Sequence, residues 1–105
     1  MNIIFDKEYL HDLFFKGNTT DKKHRFQPEV IRGYQKAVTA LASANCIEDL
    51  FPYKSLNYEA LSGNKNGINS VRCNRKYRLE FIVNEEGCEP IIKICRLLDI
   101  TNHYK

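Results

Sequence analysis

The chain changes its hydrophobic period partway along, and that change limits the fold more than any other feature. Before Pro52, apolar residues recur at spacings of three and four: Tyr9, Leu10, Leu13 and Phe14, then Val30, Tyr34, Ala37, Val38 and Leu41. After Gly67 they alternate, as Val71 and Cys73 and then as Tyr77, Leu79, Phe81 and Val83. A helical half followed by a strand half predicts an α+β domain with helices packed on one side of a sheet. With 105 residues there is room for one core, so residues 1–105 are read as a single domain.

Punctuation places the elements. Residues 2–5 read as a short strand, Asp6 as the cap of a first helix, and Gly17 as its end. The polar stretch 17–27 reads as a loop, and Pro28 suits the first turn of a second helix that runs to about Ala44. Ile47 to Leu50 add a short turn, and residues 52–67 connect the halves with Leu56, Tyr58 and Leu61 as anchors. Asn84, Glu85, Glu86 and Gly87 predict a turn, and residues 90–100 a last strand. That strand is apolar on both faces and should lie inside the sheet, closing a C-terminal three-strand meander that makes the sheet mainly antiparallel.

The start of the chain lacks a signal-peptide pattern, and no apolar run approaches the ~18 residues of a membrane span, which predicts a cytoplasmic protein. Cys46, Cys73, Cys88 and Cys95 form no Cys-x-x-Cys pair and His11, His24 and His103 are scattered, so no metal site is expected. His11 and His24 read as surface residues.

Charge is concentrated. Residues 1–52 carry seven cations and seven anions, whereas residues 53–105 carry nine and six. Between Lys54 and Arg78 stand Lys54, Lys65, Arg72, Arg75, Lys76 and Arg78 against Glu59 alone. Such a stretch can meet phosphate, although a net charge of +3 does not specify nucleic acid by itself.

Strand parity sharpens the point. Val71 and Cys73 share a core face with Tyr77, Leu79 and Phe81 only if the connection between the strands has an odd number of residues. A three-residue connection sets Arg72 opposite Arg78; a five-residue one sets Arg72 opposite Lys76 and Ser70 opposite Arg78. Either way cations gather on the non-core face. Like charges directly opposite cost on the order of 0.2–1 kcal/mol, so stability gives no reason for the pairing, whereas a bound phosphate does. The competing reading is two solvated arginines. Glu59 is then either a general base or an ion-pair partner, and His103 with Tyr104, just past the last strand, can exchange protons or stack on a base.

The run LSGNKNGINSVRCNRKYRLEF at 61–81 resembles the Leu-Lys-Gly-Asp…Gly-x-x-Ser-Ile-Arg-Val-Asn…Tyr/Trp-Arg-Ile-x-Phe signature of HigB toxins in the RelE/ParE superfamily. Phe14-Phe15-x-Gly17 with the Pro28 helix, and Ile47-Glu48-Asp49-Leu50 before Pro52, are similar to that family's N-terminal half. The resemblance implies a RelE-like, microbial-RNase-type sheet with two helices, and a helix-turn-helix, HigA-like antitoxin through which alone operator DNA is met. It also implies an endoribonuclease, without metal or cofactor, that cleaves mRNA in the ribosomal A site using the RNA 2′-hydroxyl. Arg72 and Arg78 then stand at the family's phosphate positions, and Lys54, Lys65, Arg75 and Lys76 as further RNA contacts. There are departures: Glu59 and Ser62 replace a His and a Lys, and the tail reads Asn102-His103-Tyr104 where the family commonly ends Asp-Tyr-His. Either Glu59 or His103 could therefore be the base. A ParE-like gyrase inhibitor and a degenerate antitoxin-binding regulator are the alternatives on the same fold.

Overall fold

The alternating half becomes a meander. In the computed structural model of the chain, which describes residues 1–102, strands β3 (Asn69–Arg72), β4 (Arg78–Glu86) and β5 (Ile92–Thr101) pair antiparallel in succession. β1 (Asn2–Phe5) adds to β5 in parallel, and β2 (Glu59–Ala60) adds to β3 antiparallel, for the order β1-β5-β4-β3-β2. β5 is thus an inner strand, as its two-sided apolar content requires. β2 falls where only a connection was expected.

Helices α1 (Glu8–Phe15) and α2 (Pro28–Ser43) cover one face. Their stripes, Tyr9, Leu10 and Leu13 with Val30, Tyr34, Ala37, Val38 and Leu41, are buried with Val71, Leu79, Phe81, Cys95 and Leu97 of the sheet. The Tyr34 hydroxyl donates to the Leu10 carbonyl at 2.6 Å and joins the two helices. At Gly33 the helix backbone lies against the end of β3: a Cβ there would stand 1.8 Å from the Cys73 carbonyl oxygen, so no other residue fits. Among the described residues no helix is long and apolar enough to cross a membrane.

Three boundaries differ from expectation. Asp6 is not the cap of α1: its N–H donates to the Leu97 carbonyl at 3.0 Å, so it still extends the sheet, and Lys7 takes the cap position without a side-chain bond. The polar residues 84–86 are strand rather than turn, because pairing of Asn84, Glu85 and Glu86 with Ile94, Lys93 and Ile92 outweighs their weak strand preference. The reversal moves to 87–91, beginning at Gly87 with φ +83°, and β5 starts at Ile92 rather than at 90. A bulge in β5 follows: Phe81 pairs with Leu97 but Glu80 with Asp99, so Leu98 is the extra residue. That shift lets Leu97 and Ile100 both be buried despite their odd spacing.

Candidate functional site

The connection between β3 and β4 has three residues, and Arg72 stands directly opposite Arg78. Since Val71 and Leu79 point into the core, alternation places both arginines on the face away from the helices. They are not equivalent. Arg72 is exposed, whereas Arg78 keeps only 6% of its surface. Arg78 Nε donates to Ser70 Oγ at 2.9 Å and Nη2 to the Ser70 carbonyl at 3.4 Å. Nη2 also donates to the carbonyl of Asn57, a residue in the left-handed conformation (φ 44°) that ends the short 3-10 turn Lys54–Leu56. A buried guanidinium held by several acceptors is a fixed charge with a set direction. The reading of two equally solvated arginines is therefore overturned for Arg78.

The next cross-strand row supplies carboxylates. Glu59 of β2 pairs with Ser70, Ser70 with Glu80, and Glu80 with Asp99. Glu59 is exposed, one strand beyond the serine that holds Arg78. Glu80 is buried at 5% exposure, and Lys65 Nζ reaches its Oε2 at 2.7 Å from the short turn Gly63–Lys65. Glu80 escaped the sequence reading, although its parity with Arg78 already put it on this face.

The other expected RNA contacts divide. Lys65 reaches the arginine face through Glu80, and Lys54 is exposed on the turn before Asn57. Arg75 and Lys76 lie in the β3–β4 turn and line a separate cavity of about 440 Å³ at the start of α2, together with Arg25 and Glu29. Arg25, in the polar loop 17–27, carries no signal in the sequence because its partners come together only in three dimensions. His103 and Tyr104 lie outside the described residues; Thr101, two residues before His103, pairs with Arg78.

His24 is not a plain surface residue. Its ring stacks on Tyr9 at 3.6 Å between centroids and 6° between planes, and Nδ1 lies 2.9 Å from Asp21 Oδ2. Tyr9 donates to Asp99 and accepts from the Ile100 N–H at 2.9 Å, and Lys7 Nζ reaches Asp99 at 3.1 Å. Burial and then the bond to Asp99 hold the Tyr9 phenol well above its ordinary range, so it remains a donor. Burial pulls the Asp99 carboxyl upward, yet the hydrogen bonds from Tyr9 and Lys7 prevail and keep it below the usual carboxylate value. Among the described residues no three His, Cys, Asp or Glu side chains are grouped to hold a metal ion.

The family model for HigB-like toxins, described as the RelE-like toxin of type II toxin–antitoxin system HigB, matches residues 4–89. A YoeB/ParE toxin from Agrobacterium tumefaciens is similar in structure, with 15% sequence identity, a TM-score of 0.56, and coverage of 99% of this chain and 100% of that one. A chain of the YoeB–YefM complex from Staphylococcus aureus is similar at 17% identity and a TM-score of 0.58, covering 99% of this chain and 98% of its own. At such identities the likeness shows the shared fold. No curated protein matches the chain.

Proposed function

The chain belongs to the HigB-like, RelE-type toxins of type II toxin–antitoxin systems, and on that premise we propose that it is an endoribonuclease that cuts mRNA in the ribosomal A site. The observation that carries the reading is the opposed pair Arg72 and Arg78, one exposed and one fixed by Ser70 and Asn57. Direct opposition of like charges is unfavourable until an anion lies between or above them. A scissile phosphodiester is such an anion, and the dianionic phosphorane formed when the 2′-hydroxyl attacks it gains more from the same donors than the ground state does. Arg78 supplies a preorganised charge and Arg72 a mobile one that closes on the phosphate.

Cleavage also needs a group to take the 2′-hydroxyl proton and one to protonate the leaving 5′-oxygen. Glu59, exposed beside Ser70, and His103 are assigned to these transfers, with Tyr104 stacking on a base. Neither metal nor cofactor enters the scheme. With a net charge of only +3 the affinity for free RNA is weak and salt-sensitive, and the ribosome does the positioning. The protein acts in the cytoplasm and is held in check by a helix-turn-helix, HigA-like antitoxin.

The test is to add the protein to a translating lysate and map mRNA 5′ ends by primer extension. Codon-spaced cuts that vanish without ribosomes and in Arg72→Ala support the proposal. Intact mRNA accompanied by gyrase-linked DNA breaks makes the protein a ParE-like inhibitor instead, and neither outcome makes it an antitoxin-binding regulator.

A further inference from the structure

In the loop between α1 and α2, His24 meets both α1 and the end of β5. His24 lies flat on Tyr9, with Nδ1 2.9 Å from Asp21 Oδ2 and Nε2 3.9 Å from Asp99 Oδ1. Asp21 in turn accepts from the Lys23 N–H at 3.0 Å, and the Asp21 carbonyl from the His24 N–H at 3.1 Å, so the short turn Lys22–His24 is built around the same carboxylate. Phe26 then meets Tyr77 edge-on at 5.2 Å and 78°. The loop so held forms one wall of a depression of about 480 Å³, to which it contributes Lys23 and Arg25. Lys65, Glu80, Asp99 and Thr101 line it as well, and Thr101 is the residue paired with Arg78.

We propose that His24 is a positioning residue: stacked on Tyr9 between Asp21 and Asp99, it holds Lys23 and Arg25 as the wall of a subsite for RNA phosphate next to the Arg72–Arg78 pair. The RNA role rests on the nuclease reading; the clamp itself does not. Three features carry the argument. One ring nitrogen is hydrogen-bonded and the other faces a carboxylate: Nδ1 lies 2.9 Å from Asp21 Oδ2, and Nε2 3.9 Å from Asp99 Oδ1, beyond hydrogen-bond reach. Both carboxylates are anchored by other bonds, Asp21 by its turn and Asp99 by Tyr9 and Lys7, so the ring is fixed from two elements at once. Two of the loop's cations, finally, line the same concavity as Thr101, the cross-strand partner of Arg78.

The test compares wild type with His24→Ala, which loses stack and nitrogens, and His24→Phe, which keeps the stack alone. In the isolated protein, amide exchange at Lys23 and His24 should quicken about tenfold in His24→Ala and less in His24→Phe, with β4 and β5 amides unchanged. On programmed ribosomes, KM should rise about three- to tenfold in His24→Ala while kcat stays within about twofold, the signature of lost positioning rather than lost chemistry. Unchanged loop exchange overturns the clamp whatever the cleavage assay gives. A loosened loop with unchanged KM, or a fall in kcat alone, overturns the subsite. A wild-type protein that cuts nothing removes the nuclease reading and the RNA role together, while the exchange result still decides the clamp.

Discussion

Arg72 and Arg78 face each other across β3 and β4, and only Arg78 is buried, with Ser70 and the Asn57 carbonyl as its acceptors. On the proposed nuclease role the shared register gives them a common target, and the difference in burial gives them different costs of removal. Arg72→Ala should leave stability within about 0.5 kcal/mol, or raise it slightly as the like-charge opposition is relieved, while abolishing mRNA cleavage. Arg78→Ala should abolish cleavage and also cost about 1–3 kcal/mol, because buried acceptors lose their donor. Urea unfolding run beside the cleavage assay separates the two.

Asp99 predicts an acid limb. Its carboxyl is depressed in the folded protein, so it contributes stability above its unfolded value and loses that contribution as pH falls through the folded one. Wild type should therefore weaken between about pH 5 and pH 3 more steeply than Asp99→Asn, although the variant is less stable at neutral pH. Urea midpoints across that range check the slope.

The four thiols should react in three classes. Burial pushes Cys73 and Cys95 up to about 12, so both stay silent to a thiolate-selective reagent at pH near 8 until the chain unfolds. Exposed Cys88 should react first. Cys46, whose thiol is raised by its hydrogen bond to Glu48, should follow more slowly. Timed labelling with mass spectrometry reads the order.

Gly33→Ala tests the seating of α2 on the sheet. An added methyl would meet the Cys73 carbonyl at 1.8 Å, where the backbone of β3 must give way. The expected cost is at the upper end of about 1–3 kcal/mol. It should come with lost protection of the Arg72 and Cys73 amides in hydrogen exchange.

The period change at 52–67 made the two helices, the meander and its packing legible, and parity made the arginine row legible. Elements that rest on few residues were not. β2 is two residues at an edge, too short to show alternation, and it appears only because Glu59 and Ala60 meet Ser70 and Asn69. Asn84 to Glu86 look like a turn by composition and are strand because β5 pairs them. The bulge at Leu98 interrupts alternation and hid Asp99 from the parity argument. His24 was passed over because Tyr9 and Asp99, its partners, are remote in sequence and only the fold brings them to it. Glu80 was within reach: it follows Arg78 by two on the same strand face.

The account depends on the RNA's own 2′-hydroxyl attacking a phosphate held by Arg72 and Arg78, and the ends of the cut message report that chemistry directly. Ribosomes programmed with end-labelled mRNA, treated with the protein and resolved by mass, should yield a 2′,3′-cyclic phosphate and a 5′-hydroxyl, with neither end formed by Arg72→Ala. A 5′-phosphate with a 3′-hydroxyl, or full cleavage by Arg72→Ala, would contradict it.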